Sequence, residues 1–478
     1  MKIPFPVKIY FVALVLRLIP VLLTMNLGIG LDDMFQYDML ARSLAVGNGF
    51  RWYAQDDLKL LEPYVDFDLS TATGYDPKYG LYTSFRAPLY PAFLALVYSI
   101  SGLEFSRFFA ARLAQVILLG APLAPLTYLT ARQFFGNEDD LAEKSARLSA
   151  WIVACYPMLL VYPLGLGTEN LFFVLLLCSV LFLLRSLEDS SALNLLLSGF
   201  FLALTALTRS VILPFVGLAI LYFLYLHRSR ALLVALSFAL LIAPWVVRNS
   251  ILHHKLTGIE TSMGYNLYLG YHPDGNGSFI FGPSLDLLTV MDDSERDAVG
   301  TQRALEFIRA QPERVLPLAL NRLGFFFGLE KRVLMYFYSN NILGYIPLPG
   351  LLLTAAILLL PLVFVSIFAV LGGVVLRHTP QLDVFTLLLV AYVAPHVLIL
   401  AEDRFHLALI PVMAIWAAYA FTLIKEREYK ENTNGRVLLI ASVLIFFFLL
   451  NWGLELNRDA DKISAIFGPN GNQSHFSY

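Results

Sequence analysis

The chain has 478 residues, of which 58% are hydrophobic and 15% charged, with a mean hydropathy of +0.67. Soluble domains carry about 25% charged residues, so the composition excludes one and indicates a polytopic membrane protein. A net charge of −2 leaves no electropositive surplus, which excludes a nucleic-acid partner on bulk electrostatics.

Apolar runs long enough for a ~30 Å hydrocarbon core fall near 8–27, 107–131, 148–166, 170–185, 191–208, 210–226, 231–247, 350–376, 383–400, 405–424 and 436–454. They predict about eleven transmembrane helices in an all-α fold, or 12–13 if shorter runs also cross. The first run is too long for a signal-peptide core and has no small-residue cleavage site before Asp32, so it reads as a true span. Cys155 and Cys178 lie inside apolar runs and are expected as buried small hydrophobes, not as a disulfide or metal framework.

Short basic loops set the orientation. Lys2 and Lys8, then Arg132, Lys144 and Arg147, Arg185, then His227, Arg228 and Arg230, then Arg377, and finally Lys425, Arg427, Lys430 and Arg436 all fall on one side. The N-terminus is therefore expected in the cytoplasm and the C-terminus outside. Glu138-Asp139-Asp140 reads as a solvated cytoplasmic loop. The run 88–102 is apolar but short, and counting it as a crossing would reverse every later loop. It is expected to be a membrane-surface or re-entrant helix on the outer side. Two long outer loops then remain, 28–106 and 249–349. The second contains an amphipathic helix near 294–310 and an apolar stretch near 314–329, both suited to the interface.

Charge gathers at the outer surface. Asp32 and Asp33 follow the first helix, Arg86 precedes Pro88, and Thr168-Glu169 sits between two spans. Arg209, Arg248 and Glu402-Asp403-Arg404 occupy further outer helix ends. Charge at a bilayer boundary is costly to dehydrate, so such groups are paired, solvated or functional. Carboxylates can take a proton from a hydroxyl, and guanidiniums can hold a phosphate and the charge of a departing group. The residues alone reach an outer-face enzyme or transporter acting on a lipid-linked anion. Arg17, inside the first span, is expected to meet a carboxylate or lipid headgroup, with a structural ion pair as the alternative.

The order of motifs resembles the membrane glycosyltransferases of the GT-C fold, in the branch of the aminoarabinose transferases and protein O-mannosyltransferases. It is carried by Asp32-Asp33-x-x-x-Tyr37-x-x-x-Ala41-Arg42, Arg86-Ala87-Pro88-Leu89-Tyr90-Pro91, Pro163-x-x-x-x-Thr168-Glu169, Leu207-Thr208-Arg209, Pro244-Trp245-x-x-Arg248-Asn249 and Glu402-x-Arg404-Phe405-x-x-x-x-x-Pro411. The resemblance implies a catalytic domain over 1–425, including both outer loops, with 426–478 as a last helix and external tail. It implies a multi-pass protein of the plasma (inner) membrane with an extracytoplasmic active site. Asp33, four residues before Tyr37, takes the place of the catalytic carboxylate, with Asp32 as its neighbour and Glu169 as the second acid. Arg86 matches the phosphate-binding position, with a spacing to Pro88 one residue longer than in the aminoarabinose enzymes.

The expected reaction is inverting transfer of a sugar from a polyprenyl-phosphate donor to a hydroxyl on a glycolipid, glycan or protein. Phosphate would meet Arg86, Arg404, Arg248 or Lys78, and the sugar would meet Tyr37, Tyr265, Asn266, Glu402 or His406. No metal is required by this chemistry; if a divalent cation such as Mg or Mn takes part, Asp33 and Glu169 are its expected ligands. The alternative reading of Pro244-Trp245-x-x-Arg248-Asn249 is a plain helix end with Trp245 as an interfacial anchor, and His253, His254, His272 and His396 read as loop or packing residues. A lipid-linked glycan polymerase or ligase would share the donor chemistry. A flippase would show internal repeats and midplane polar groups, and neither is visible in the sequence.

Overall fold

The computed structural model describes residues 3–476 apart from 68, 70, 71, 73, 137–139 and 430–432. Lys2, Asp68, Glu138, Asp139 and Lys430 therefore lie outside the described residues. The chain is a multi-pass, all-α membrane protein, and each of its eleven predicted apolar runs lies mostly on helix. The first is α1 (Phe5–Leu23), followed in the loop 28–106 by the helices α2 (Asp33–Ala45) and α3 (Leu89–Ser101). Next come α4 (Arg107–Phe135), α5 (Asp140–Cys155), α6 (Thr168–Glu188), α7 (Ala192–Thr208), α8 (Leu213–His227) and α9 (Leu232–Leu252). The second long loop, 249–349, holds α10 (Met263–Tyr271), α11 (Asp293–Ala310) and α12 (Val315–Phe326). The bundle closes with α13 (Leu348–Val375), α14 (Pro380–Leu398), α15 (Ile410–Lys425) and α16 (Gly435–Arg458).

Among the described residues, eight helices are long and apolar enough to cross a membrane, or nine if one bent pair is a single span. That bent pair is α5 with Pro157–Leu164, turned by 54°. The run 210–252 is continuous in hydropathy but contains two helices. Gly199 of α7 lies against Val234, Ser237 and Phe238, so α9 starts level with the beginning of α7. α8 starts just past the other end of α7, so α8 and α9 run in opposite directions, turning at Arg228 with φ of 52°. The expected surface segment is α3, whose 13 residues span about 20 Å and fall short of a hydrocarbon core.

Arg17 corrects its sequence reading. Among the described residues its buried guanidinium pairs with no carboxylate; it donates to the carbonyls of Val153 at 2.9 Å and Ala154 at 3.1 Å, and to Ala13 at 3.3 Å. Those first two carbonyls are the unpaired end of α5, released where the helix breaks before Pro157. A cation there satisfies orphaned acceptors and the negative end of the helix dipole. Cys155, at the same break, is exposed on the protein surface, so it too departs from the expected burial.

The two long loops, 28–106 and 249–349, fold together as a cap. Arg51–Trp52 (β1) pairs antiparallel with Leu81–Tyr82 (β2). Phe35, Leu40, Phe50, Trp52, Phe85 and Met291 form one buried cluster drawn from both loops. Asp293, buried at the start of α11, accepts hydrogen bonds from the Thr83 hydroxyl at 2.5 Å and the Ser84 amide at 2.8 Å.

Candidate active site

Asp32 and Asp33 divide two tasks by their place at the start of α2. Asp32 is the N-cap: its carboxylate accepts the Met34 amide at 2.8 Å, which commits it to the backbone. Asp33 begins the first turn, and its side chain remains 43% exposed. One of its oxygens is paired with Arg86, and the other lies 3.6 Å from Arg404. Arg86 also donates to Gln36 Oε1 at 2.8 Å, one helical turn along from Asp33. Beneath the Arg86 guanidinium lie the rings of Tyr37 at 5.3 Å and Phe85 at 5.1 Å, within cation–π reach.

Glu169 arrives from the far side of the bundle. It sits in the first turn of α6, where the helix dipole favours an acid, and its side chain is only 8% exposed. Gly167 makes room for it, since a Cβ there would meet Glu169 Oε2 at 2.8 Å. Arg209, following α7, pairs with Glu169 Oε1 at 2.7 Å, and Arg404 Nε stands 3.7 Å from the same oxygen. Arg404 therefore lies between Asp33 and Glu169. It is also 2.9 Å from Glu402, which in turn pairs with Arg332 at 3.0 Å; Arg332 reaches Asp403 at 2.9 Å.

Carboxylates and guanidiniums thus alternate from Arg86 through Asp33, Arg404, Glu169 and Arg209, with Glu402, Arg332 and Asp403 as a branch. Burial pushes the Asp33 carboxyl up, but Arg86 and Arg404 outweigh it and hold the group below the usual aspartate range. Asp32 moves the other way, raised by burial and by the charge of Asp33. Burial works against the charges of Arg86 and Arg209, and Asp33 and Glu169 respectively more than offset it. The Tyr37 phenol is pushed up to about 12 by burial, so it is neutral and can donate.

Several expected contacts lie elsewhere. Lys78 is exposed on the first outer loop with its ammonium over Tyr79 at 5.0 Å. Arg248 is a loop tie: it donates to the Thr83 carbonyl at 2.6 Å and stacks 4.8 Å from Trp245. His406 corrects its reading as a sugar contact, because it is fully buried between the Phe326 carbonyl and Glu330. Tyr265 packs edge-on to Phe85 and donates to the Ser284 carbonyl at 3.0 Å, close behind Arg86. Asn266 is its half-buried neighbour on α10. Glu402 does reach the cluster, as a partner of two arginines.

Three members have no motif in the sequence reading. Arg332 opens a short helical turn next to an apolar stretch, Gln36 is an ordinary helix residue, and Glu260 is an isolated acid. Glu260 accepts both the amide and the hydroxyl of Ser210, the residue after Arg209. The spacing of Gln36 three residues from Asp33 was the one available signal, since it places both on one helix face. Among the described residues no group of three or more His, Cys, Asp or Glu is arranged to hold a metal ion.

Residues 85–247 match the family described as dolichyl-phosphate-mannose-protein mannosyltransferase. That third of the chain contains Arg86, Glu169 and Arg209 but not Asp33 or Arg404. No curated protein matches the sequence. Among solved structures, the chain is similar to ArnT from Cupriavidus metallidurans bound to undecaprenyl phosphate, at 15% identity over 88% of this chain and 77% of that one, with a TM-score of 0.39. It is similar also to the apo state of the same ArnT, at 13% identity, the same coverage of both chains and a TM-score of 0.38. The family match over 85–247 agrees with the protein O-mannosyltransferase side of the resemblance that the motifs carry.

Proposed function

We propose that the protein is an inverting glycosyltransferase that moves a sugar from a polyprenyl-monophosphate donor to an acceptor hydroxyl at the extracytoplasmic face. The observation that carries the reading is the meeting of Asp33 and Glu169 across Arg404, at helix ends of a membrane bundle. The family match over 85–247 and the undecaprenyl phosphate held by the ArnT crystal structure favour the same donor class.

In this mechanism Asp33 takes the proton of the acceptor hydroxyl as the oxygen attacks the anomeric carbon. The new carbon–oxygen bond forms on the face opposite the phosphate, the old one breaks, and its electron pair leaves on the polyprenyl phosphate. Arg404 and Arg86 hold that developing charge, with Glu169 and Arg209 fixing the position of Arg404. The pairing of Asp33 with Arg86 and Arg404 supplies an activation step. A phosphate that draws Arg86 and Arg404 to itself takes away the two cations that hold Asp33 weakly basic, so donor binding strengthens the base. Arg404 also stands where a cation between the two acids would stand, and the scheme needs no metal.

Replacing Asp33 by Asn tests the base. Transfer from a polyprenyl-phosphate sugar should fall by about 10²–10⁴-fold while binding of the lipid phosphate persists. Unchanged transfer would remove the assignment. Incubation with EDTA should leave turnover intact; loss of activity that Mg or Mn restores would overturn the metal-free scheme.

A further inference from the structure

Behind the site lies a polar group that this chemistry leaves unused. Tyr156, Glu330 and His406 are 2%, 1% and 0% exposed. Tyr156 donates its hydroxyl to Glu330 Oε1 at 2.8 Å, and His406 Nε2 is 3.0 Å from the same oxygen. His406 Nδ1 lies 2.8 Å from the Phe326 carbonyl, an acceptor, so that nitrogen carries a proton. Glu330 Oε2 is buried without a hydrogen bond. Such a group is expensive to bury, and well-packed apolar residues of the same size would serve stability as well or better.

Its place along the chain supplies a reason for it. Segment 330–332 and segment 402–406 are tied at two points: Glu330 to His406, and Arg332 to Glu402 and Asp403. Arg404 lies between the ties. Its Nε is buried with no aligned hydrogen bond, although Glu402 is 2.9 Å away, so its contacts are those of charge with little direction. Ion-pair contacts alone leave a guanidinium free to slide; here the backbone on either side of Arg404 fixes its height.

We propose that Glu330 and His406 are positioning residues that hold Arg404 midway between Asp33 and Glu169, with Tyr156 completing the dry anchor. The inference rests on the reading of Arg404 as a donor-phosphate contact. Its test is the apolar triple variant E330M/H406L/Y156F in the full-length chain, compared with E330Q, which keeps the carbonyl oxygen that Tyr156 and His406 address.

The triple variant should unfold thermally near the wild-type temperature, bind polyprenyl phosphate less tightly, and lose about 10²-fold in kcat, as misplacement by an ångström does. E330Q should retain most turnover. Arg404→Ala should cost little in the triple background and much in the wild type. A folded triple variant with wild-type turnover, or an equal cost of Arg404→Ala in both backgrounds, would overturn the proposal. If the triple variant does not fold, His406→Phe carries the same cycle. A wild-type protein that moves no sugar from any polyprenyl-phosphate donor would remove the functional reading and this inference together, whereas active wild type with indifferent variants removes the inference alone.

Discussion

At the scale of single residues, the balance around Asp33 sets a pH dependence. Its carboxyl is pulled below the usual ~3.9 because Arg86 and Arg404 outweigh burial. An aspartate lowered in the folded state stabilises the fold above its unfolded value and loses that contribution as pH falls through the lowered one. The same ionised form is the proposed base, so the acid limb of kcat/KM should lie below the ordinary aspartate range. Arg86→Gln removes the largest opposing charge and should move that limb upward, as a pH–rate profile would record. Arg404→Ala should raise the donor KM and lower kcat together, because the residue touches both acids and, in the proposed complex, the phosphate. The motif Asp33-x-x-x-Tyr37 and the arginine before Pro88 made these positions legible in the sequence. Arg332 and Glu260 were not, since each depends on a partner more than 40 residues away in the chain. His406 misled because hydropathy places it at the outer helix end, while its ring turns inward to the Phe326 carbonyl.

Elements meet through small residues. Gly372 of α13 lies against the backbone carbonyl of Trp416 in α15, and Gly199 of α7 against that of Val234 in α9; a Cβ at either position would collide with main chain. Close approach of this kind is how membrane helices gain packing without a hydrophobic driving force. Gly372→Val should therefore force α13 from α15, lowering the thermal midpoint in detergent well below that of the neighbouring Leu371→Val. The positions of the spans were legible because hydrocarbon length imposes a run of apolar residues. Their internal geometry was not. The 54° bend after Cys155 and the Arg17 guanidinium that satisfies its carbonyls belong to packing between α1 and α5, which one-dimensional hydropathy does not record.

On the scale of the whole molecule, the two long loops act as one cap over the helix ends. Asp293 of the second loop receives Thr83 and Ser84 of the first, Thr261 donates its amide to the Ser84 carbonyl at 3.0 Å, and Arg248 reaches Thr83 and Phe50. Breaking one tie should loosen both loops. Asp293→Asn should speed limited proteolysis in residues 28–106 as well as in 249–349, while the spans remain resistant. Loop length announced the cap in the sequence, but its pairing of distant polar residues could only come from the fold.

The alternation of guanidiniums and carboxylates in the site has a kinetic corollary. Four arginines set against a similar number of acids nearly cancel, so the site projects little field beyond contact range. Anionic lipids would then gain no acceleration toward it from dilute buffer, and capture rates should hardly change with ionic strength. Discrimination among headgroups would have to be made after arrival, by which of them can compete an arginine away from its acid.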